Sequence, residues 1–312
     1  MRKVIGIGET VLDLIFKDEQ PTAAVFGGSS FNTLISLGRS GIPTVFVCEA
    51  SSDRIGKQMI SFLKKNGIDS QYVAINQYVK SALSLAFLNE QNDAEYLFYK
   101  DHPEEWVEFA YPEIASDDIV LFGSFYALNP VIRIQVESFL KYAREKGAIL
   151  FYDVNFRSSH TNEIVKITPA LIENFEFADI VRGSTDDFEN IFRTRDADKI
   201  YKDQIAFYCS SFICTDGAYP VSLRTRDVVK CYLVKKVDTI STIGAGDAFN
   251  AGLIYALIKE RIGREQLLAL DEKTWDKLLE NAFCFSAQVC TSLDNYVDIS
   301  FGEKMKIELQ TL

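Results

Sequence analysis

The stretch from Ser241 to Lys259, STIGAGDAFNAGLIYALIK, constrains the fold more than any other part of the chain. It begins with a Gly-Ala-Gly turn and an aspartate, Asp247, and then carries almost no polar side chain. A helix that is apolar nearly all round is a buried helix. The sequence therefore predicts a buried helix whose first turn, with its unpaired N–H groups, lies beside an ionisable carboxylate.

The start of such a helix is suited to binding an anion, because the peptide dipoles add positive potential there. Gly244 and Gly246 let the backbone approach a ligand closely. Asp247 would then act as general base on a hydroxyl, while the N–H donors hold the charge of a phosphoryl group. The alternative is a strand-to-helix turn in which Asp247 only complements the helix dipole. The motif is not a Walker A loop, because no Gly-Lys-Ser/Thr follows.

Composition excludes several other classes of protein. The 312 residues, 47% of them hydrophobic, suffice for a substantial core. A net charge of −11 argues against a nucleic-acid partner, and no apolar run is long enough to predict a membrane span. The six cysteines form no CxxC pair and only two histidines are present, so we expect no zinc site. Reduced, buried thiols in a cytoplasmic protein are expected instead.

The order of strand-like and helix-like segments predicts an α/β fold with a doubly wound, mostly parallel sheet flanked by helices. Strands are expected at 3–8, 44–48, 119–122, 149–153 and 211–215, and helices at 54–65, 130–146, 168–175, 185–192 and 275–292. A further helix follows Gly27-Gly28, and we expect Ser29 or Ser30 to be its N-cap.

Two segments interrupt this alternation. Residues 11–26 contain two short β segments, and residues 81–100 predict a β-hairpin. We expect them to form a small β-sheet that closes over the large sheet as a lid. The predicted division is thus a large α/β catalytic domain of residues 1–10, 27–80 and 101–312, and a small β lid of residues 11–26 and 81–100.

Two motifs carry a resemblance to a known family. Ser241–Phe249 (STIGAGDAF) is similar to the C-terminal DTxGAGDxF signature of the ribokinase-like (PfkB) sugar kinases. Gly27–Asn32 (GGSSFN), followed by Leu37–Gly41 (LGRSG), resembles the N-terminal GGxxxN…LGxxG signature of the same family. The two stand in the family's order, about 210 residues apart, and the resemblance spans nearly the whole chain.

The resemblance implies a role for individual residues, with ATP and Mg²⁺ as cosubstrate and metal. Asp247 matches the catalytic base, and the N–H groups of Gly244, Ala245 and Gly246 match the anion hole for the transferred phosphoryl group. The remaining matches are Asp13, Gly28 and Asn32 for the sugar, Thr215, Gly217, Asn281 and Ser184 for the nucleotide, and Asp187 for the metal.

The sequence departs from the family pattern at four places. Ser241 replaces the leading aspartate of DTxGAGD, and Asp238-Thr239 is an out-of-register look-alike. Because that aspartate often helps to bind a monovalent cation, a requirement for K⁺ is left open. The family's NxxE motif reads Ser184-Thr-Asp-Asp187, the usual glycine after TxG is Pro220, and the first glycine of GxDxxG is Ser51. None of these changes removes the base or the anion hole.

The segment Asp153-Val-Asn155-Phe-Arg157 resembles the DxNxR segment of fructokinases and 2-keto-3-deoxygluconate kinases, where the arginine lies near the substrate. The hairpin at 81–100 also resembles the fructokinase lid. The expected reaction is therefore transfer of the γ-phosphate of ATP to a primary hydroxyl of D-fructose. The alternative is that Arg157 is a structural charge paired with Asp153.

Other functions stay open at this point. Ribose and 2-keto-3-deoxygluconate are alternative substrates, and a nucleoside kinase is a third class. A sugar-binding sensor that has the kinase fold but has lost turnover is the non-enzyme alternative. The expected partners are a small sugar and ATP, with no nucleic acid and no membrane. A homodimer formed lid to lid is also expected, because the family often forms one and because exposed sheet edges favour pairing.

Overall fold

The computed structural model describes residues 2–89, 94–101 and 108–311. The strands are β1 (Val4–Ile7), β2 (Val11–Lys17), β3 (Gln20–Gly27), β4 (Thr44–Ser51), β5 (Ile68–Asp69), β6 (Val73–Asn76), β7 (Leu83–Leu88), β8 (Ala94–Tyr99), β9 (Ile119–Gly123), β10 (Ile149–Asp153), β11 (Ile180–Ser184), β12 (Phe212–Asp216), β13 (Tyr219–Arg224) and β14 (Val229–Tyr232). The helices are α1 (Ser29–Arg39), α2 (Arg54–Lys65), α3 (Arg133–Glu145), α4 (Ile164–Phe177), α5 (Thr185–Phe192), α6 (Ala197–Ile200), α7 (Ala245–Lys259), α8 (Arg264–Leu267), α9 (Glu272–Val289) and α10 (Ile299–Gln310).

The fold is mixed α/β, with a large, mostly parallel sheet flanked by helices and a separate small sheet, which confirms the predicted class. The chain divides into two compact units. Unit 1 comprises Met1–Pro112, Val237–Glu260 and Leu278–Leu312, and unit 2 comprises Glu113–Lys236 and Arg261–Lys277. These two units do not coincide with the predicted catalytic domain and lid. The division into a catalytic domain and a lid stays a prediction.

Unit 1 is built around parallel strands and the helix α7. Strand β4 pairs in parallel with β1, β5 and β6. Every residue of α7 from Ala248 to Ile258 is buried, as its lack of a polar face predicts. Helix α9 packs closely against it, because a Cβ on Gly252 would lie only 2.5 Å from the carbonyl oxygen of Asn281. The helix that begins with the Gly-Ala-Gly motif is thus fixed within a packed core.

The small sheet also belongs to unit 1 and has the strand order β3-β2-β7-β8. The antiparallel pairs β2–β3 and β7–β8 are joined by a parallel pairing of β2 with β7. The two segments that break the βα alternation therefore form one sheet, as the sequence predicts. Its pairing register sets Asp13 beside Ser84. Residues 90–93, which include most of the predicted hairpin turn, lie outside the described residues.

Unit 2 contains the parallel strands β9, β10, β11 and β12, followed by the antiparallel strands β13 and β14. Strands β9 and β10 are buried along their whole length, and the rings of Phe122 and Tyr152 stack across them with centroids 5.0 Å apart. The carboxyl ends of β10, β11 and β12 carry Asp153, Ser184 and Thr215. These ends are where α/β sheets bind ligands.

Several local predictions need correction. The N-cap of α1 is Gly28, whereas Ser29 is the first helical residue. Ser30 is not the cap either, because its hydroxyl donates to the carbonyl oxygen of Ile7 at 3.0 Å. Helix α10 was not predicted. Three cysteines are buried, as expected of all six, but Cys231 and Cys284 are exposed. No helix in the described part of the chain is both long and apolar enough to cross a bilayer.

Asp53 joins helix α2 to the segment that leads into the small sheet. As the N-cap of α2, its carboxylate accepts a hydrogen bond from the N–H of Gly56 at 2.9 Å. It also accepts bonds from the N–H and the hydroxyl of Ser81, both at 2.8 Å. Partial burial raises the pKa of Asp53, but these hydrogen bonds outweigh that effect and lower the pKa to about 2.

We expect Asp53→Ala to lower the free energy of unfolding by about 1–2 kcal/mol at neutral pH, because a helix cap and the bonds to Ser81 are lost. The folded pKa lies below the unfolded value of about 3.9. The advantage of the wild type should therefore be complete above pH 4 and should shrink as the pH falls towards 2. Urea denaturation at steps from pH 7 to pH 3 measures both effects.

Asp69→Ala is the matched control, because within the described residues that exposed carboxylate accepts a bond only from the nearby N–H of Gln71. Its effect should stay within about 0.5 kcal/mol. An equal loss in the two variants, or a loss in Asp53→Ala that does not depend on pH, would contradict the proposed contribution of Asp53.

Candidate active site

The carboxylate of Asp247 is held by helix α1. Asp247 lies in the first turn of α7, and the Nδ2 of Asn32 donates to its Oδ2 at 2.8 Å. The hydroxyl of Thr33 donates to the backbone oxygen of Asp247 at 3.0 Å. Asn32 is itself buried, so the amide is a fixed donor. Within the described residues its Oδ1 has no hydrogen-bond partner. The sequence predicted a sugar contact for Asn32, and the structure adds an orienting contact with the predicted base.

The turn before α7 presents backbone donors. Gly244 is the N-cap and has a left-handed conformation, with φ of 77°. In the described part of the chain, the N–H groups of Gly244 and Gly246 make no hydrogen bond, whereas that of Ala245 donates to the carbonyl oxygen of Thr242 at 3.2 Å. Two of the three predicted anion-hole donors are therefore unpaired at a half-buried helix N-terminus, where an anion is stabilised.

Asp13 is a buried carboxylate with a protein donor on each oxygen. The hydroxyl of Ser84 donates to its Oδ1, and the Nδ2 of Asn295 donates to its Oδ2 at 2.9 Å. A Cβ on Gly27 would lie 2.2 Å from Oδ2, so only glycine leaves room for the carboxylate. The two bonds fix the position of the carboxylate, and the predicted contact of Asp13 with sugar hydroxyls stays a prediction.

Gly28 has a backbone conformation and a close contact that both require glycine. Its φ is 126°, and a Cβ would lie 2.4 Å from the carbonyl oxygen of Glu9. Its own carbonyl oxygen accepts from the N–H of Asn32 at 2.8 Å. Gly27 is thus required beside Asp13, and Gly28 is required beside Glu9. The predicted contact of Gly28 with the sugar stays a prediction.

In unit 2, a buried ion pair occupies the carboxyl ends of three strands. Arg182 donates to Oδ1 of Asp153 at 3.0 Å and to the hydroxyl of Thr215 at 2.7 Å. The buried partner of Asp153 is thus Arg182. Arg157 is exposed, and both its expected position near the substrate and its alternative pairing with Asp153 stay predictions. Thr215 was predicted to line the nucleotide site, and its hydroxyl is here engaged with Arg182. Gly217 has open space around its Cβ position.

Ser184 and Asp187 form a capping box at the start of α5. The Oδ1 of Asp187 accepts from the N–H of Phe156 at 2.7 Å, and Oδ2 accepts from the N–H and the hydroxyl of Ser184 at 2.6 and 2.8 Å. Burial raises the pKa of Asp187, although the bond from the N–H of Ser184 acts in the opposite direction. Both oxygens accept hydrogen bonds within the chain, and the predicted roles of Asp187 in metal binding and of Ser184 in nucleotide binding stay predictions.

The structure shows where the remaining predicted residues lie, and their roles stay predictions. Asn281 is half-buried on α9, with its carbonyl oxygen against Gly252. Ser241 is buried, and its hydroxyl accepts from the N–H of Ile243 at 3.2 Å. Asp238 and Thr239 are exposed. Among the described residues, no group of three His, Cys, Asp or Glu side chains could hold a metal ion. The adenine contact, Mg²⁺ and K⁺ stay predictions.

Comparison with known proteins decides the family. A model of the pfkB family of carbohydrate kinases matches residues 1–294. The chain belongs to this family. The resemblance seen in the two glycine motifs is thereby confirmed, and this kinase carries the expected base and the expected glycine turn at the start of α7.

The chain is similar to several kinases along nearly its whole length. A fructokinase of Rhizobium leguminosarum bv. trifolii is 26% identical over 279 residues, which covers 86% of this chain and 84% of that protein. The structure of a fructokinase from Vibrio cholerae O395, in a fructose, ADP and calcium ion bound form, has a TM-score of 0.81 at 20% identity and covers 97% of this chain and 99% of its own. Aminoimidazole riboside kinase from Salmonella enterica, complexed with aminoimidazole riboside and an ATP analog, has a TM-score of 0.80 at 23% identity, with 98% and 99% covered. The two structures share the fold of this kinase.

Two residues of the site were missed by reasoning from the sequence. Asn295 lies in the loop after α9, where an asparagine among small and polar residues indicates only a turn. Arg182 lies within a buried strand. An arginine in an apolar run indicates a buried charge with a partner, since buried charges need partners. Both residues bind a predicted site residue from a distant part of the chain.

We expect Gly244→Ala to lower the free energy of unfolding by about 2–5 kcal/mol and to impair phosphoryl transfer. Two effects add here: a left-handed conformation disfavours alanine, and the new Cβ would lie 2.2 Å from the carbonyl oxygen of Asn295. Urea denaturation measures the first loss and an ADP-release assay the second.

Gly67→Ala is the matched control, because Gly67 has φ of 78° and its Cβ would meet no atom closer than 3.8 Å. Strain alone should cost about 1 kcal/mol there, without loss of kcat. Equal costs at the two positions would show that the contact between Gly244 and Asn295 is not restrictive.

Proposed function

We propose that this carbohydrate kinase transfers the γ-phosphate of ATP to a primary hydroxyl of D-fructose. One observation carries the proposal: the carboxylate of Asp247, fixed by Asn32, lies in the same helical turn as the unpaired N–H groups of Gly244 and Gly246. A base for a hydroxyl and donors for a phosphoryl oxygen are thus combined on one short segment. Phosphoryl transfer needs mainly such positioning and electrostatic stabilisation.

In the proposed mechanism, Asp13 accepts hydrogen bonds from sugar hydroxyls while Ser84 and Asn295 hold its carboxylate in place. Asp247 accepts the proton of the primary hydroxyl, and the hydroxyl oxygen forms a bond with the γ-phosphorus. The bond between that phosphorus and the β–γ bridging oxygen breaks, and ADP leaves. The N–H groups of Gly244 and Gly246 and the dipole of α7 stabilise the charge on the transferred group.

Support for fructose and ATP comes from relatives. The similar protein of Rhizobium leguminosarum bv. trifolii is a fructokinase, and the similar structure from Vibrio cholerae holds fructose and ADP. When bound, Mg²⁺ would neutralise charge on the ATP phosphates, and it commonly binds through those phosphates and few protein ligands. Asp187 is the residue of this chain that would hold Mg²⁺, and its two oxygens also accept hydrogen bonds from Phe156 and Ser184. The question of K⁺ stays open.

A riboside is the second candidate substrate, because the structure of aminoimidazole riboside kinase is as similar as that of the fructokinase, with TM-scores of 0.80 and 0.81. Ribose and 2-keto-3-deoxygluconate remain further alternatives. The sensor alternative predicts sugar binding without turnover, and the fixed Asp247 carboxylate gives it no support. A cytoplasmic location, inferred from the reduced thiols expected of the sequence, is also a proposal.

The test is release of ADP from ATP and Mg²⁺ in the presence of fructose, ribose, 2-keto-3-deoxygluconate or aminoimidazole riboside, each with and without K⁺. The proposal predicts the highest kcat/KM for fructose. A higher value for the riboside would move the substrate assignment to that class. Sugar binding without ADP release on any substrate, in a folded protein, would favour the sensor.

We expect Asp247→Asn to lower kcat on the preferred sugar by about 10²–10⁴-fold, because a general base contributes on that scale. The amide keeps the size of the side chain, so the melting temperature should change little. Asp238→Asn, an exposed aspartate in the nearby look-alike motif, serves as control and should keep wild-type kcat. Retention of more than a tenth of kcat in Asp247→Asn would rule out a general base at this position.

We further propose a homodimer formed by the small sheets of two copies. Strand β8 is an edge of that sheet, and its neighbouring residues Leu97, Phe98 and Tyr99 are 49%, 52% and 58% exposed. An exposed apolar run on an edge strand is typical of an interface. A second copy fits this surface because a two-fold contact needs only one self-complementary patch.

We expect Leu97→Asp to convert a dimer into a monomer at micromolar concentration, because the interface would bury an unpaired charge. Light scattering coupled to size-exclusion chromatography measures the mass. Leu233→Asp is the control, since Leu233 is 82% exposed and lies outside the small sheet. A monomeric wild type, or a Leu97→Asp dimer as tight as the wild type, would refute this interface.

A further inference from the structure

Asn295 is a fully buried amide that no sequence motif assigned to the site. Its exposed fraction is 0%, and the Nδ2 donates to the Oδ2 of Asp13 at 2.9 Å. The two residues are 282 positions apart in the chain, so this bond joins the C-terminal region to strand β2. A buried polar side chain needs a reason to be retained, because an apolar residue of the same shape avoids the cost of desolvation.

The orientation of this amide is set by Asp13. If the amide were rotated to exchange its two ends, an oxygen acceptor would face a carboxylate oxygen that also only accepts. The Oδ1 of Asn295 has no hydrogen-bond partner within the described residues. A side chain retained only for stability would be expected to satisfy both ends, because an unpaired buried acceptor is destabilising. Because only the Nδ2 end of the amide is bonded among the described residues, its role is to donate a hydrogen bond to Asp13.

The backbone of Asn295 makes a separate contact with the turn before α7. A Cβ on Gly244 would lie 2.2 Å from the carbonyl oxygen of Asn295 and 2.8 Å from its Cα. The same residue thus touches the proposed sugar-binding carboxylate through its side chain and the proposed anion-binding turn through its main chain. Both contacts lie within unit 1.

We propose that Asn295 is a positioning residue for sugar binding: it fixes the carboxylate of Asp13 against the turn at Gly244. With Ser84 on Oδ1 and Asn295 on Oδ2, the plane of the carboxylate is set, and so are the directions from which it accepts hydrogen bonds. Sugar hydroxyls then meet a preorganised acceptor at a fixed place relative to the phosphoryl donors. This inference rests on the proposed role of Asp13 in binding the sugar.

Asn295→Ala tests the side chain alone, since the main-chain contact with Gly244 does not depend on the amide. We expect KM for the sugar to rise about 10–100-fold, because a hydrogen bond to a buried charge is lost. KM for ATP should stay within about threefold, and kcat should fall less than the sugar KM rises, since mainly binding is affected. Steady-state kinetics with each substrate varied in turn gives this comparison.

Asn174→Ala is the matched control. Asn174 is also 0% exposed and bonded by a side chain, accepting from Arg133 at 2.6 Å, but it lies in unit 2 on α4. Removing this amide should lower the melting temperature without raising KM for the sugar more than KM for ATP. If Asn295→Ala is too unstable to assay, Asn295→Ser keeps a hydroxyl donor and should show a smaller rise in the sugar KM.

A double-mutant cycle with Asp13→Ala decides whether Asn295 acts through Asp13, because alanine removes the acceptor whereas asparagine would keep one. The inference predicts that the effects on the sugar KM are strongly non-additive, because the second change removes an interaction that is already lost. Additive effects, or equal changes in the KM values of sugar and ATP, would overturn the inference. If Asp13→Ala leaves the sugar KM unchanged, the proposed sugar-binding role of Asp13 fails. If only Asn295→Ala leaves it unchanged, the positioning role fails and the proposed function stands.

Discussion

The hydrogen bond from Asn32 to Asp247 joins the two helices on which the proposed chemistry depends. The residues are 215 positions apart, and the bond fixes the carboxylate of the proposed base at the start of a helix whose side chains are almost all apolar. The hydroxyl of Thr33 adds a second bond from α1 to the same residue. Since residues 248–258 of α7 are buried, the half-buried first turn that carries Asp247 is anchored to a packed core.

Carboxylates in this kinase divide into two kinds according to what surrounds them. Asp187 has both oxygens engaged by backbone and hydroxyl donors of its own unit, and Asp153 is paired with Arg182 in the interior. Such groups complete local structure, since buried polar groups require partners. Asp13 also has a donor on each oxygen, but both donors come from distant segments, 71 and 282 positions away, and Gly27 leaves room for its Oδ2. Long-range contacts, rather than a local cap, thus hold the proposed sugar-binding carboxylate.

Much of the fold followed from local pattern. The apolar run after Asp247 predicted a buried helix, and the helices expected at 54–65 and 185–192 are α2 and α5. These features depend on residues close together in sequence, so the periodicity and the capping preferences are sufficient. The N-cap of α1 was misjudged because the hydroxyl of Ser30 binds the carbonyl of Ile7, a contact that requires β1 to lie beside α1.

The sequence by itself determined the chemical groups of the candidate site: a glycine turn, an aspartate after it, and a second aspartate near the N-terminus. It also determined the class of fold, because alternating strands and helices permit few arrangements. Only the tertiary structure decided which donors hold those groups. Asn295 meets Asp13 across 282 positions, and Arg182 rather than Arg157 is the buried partner of Asp153. Spacing along a chain encodes local geometry, whereas these partners are chosen by packing between distant segments, which no local pattern contains.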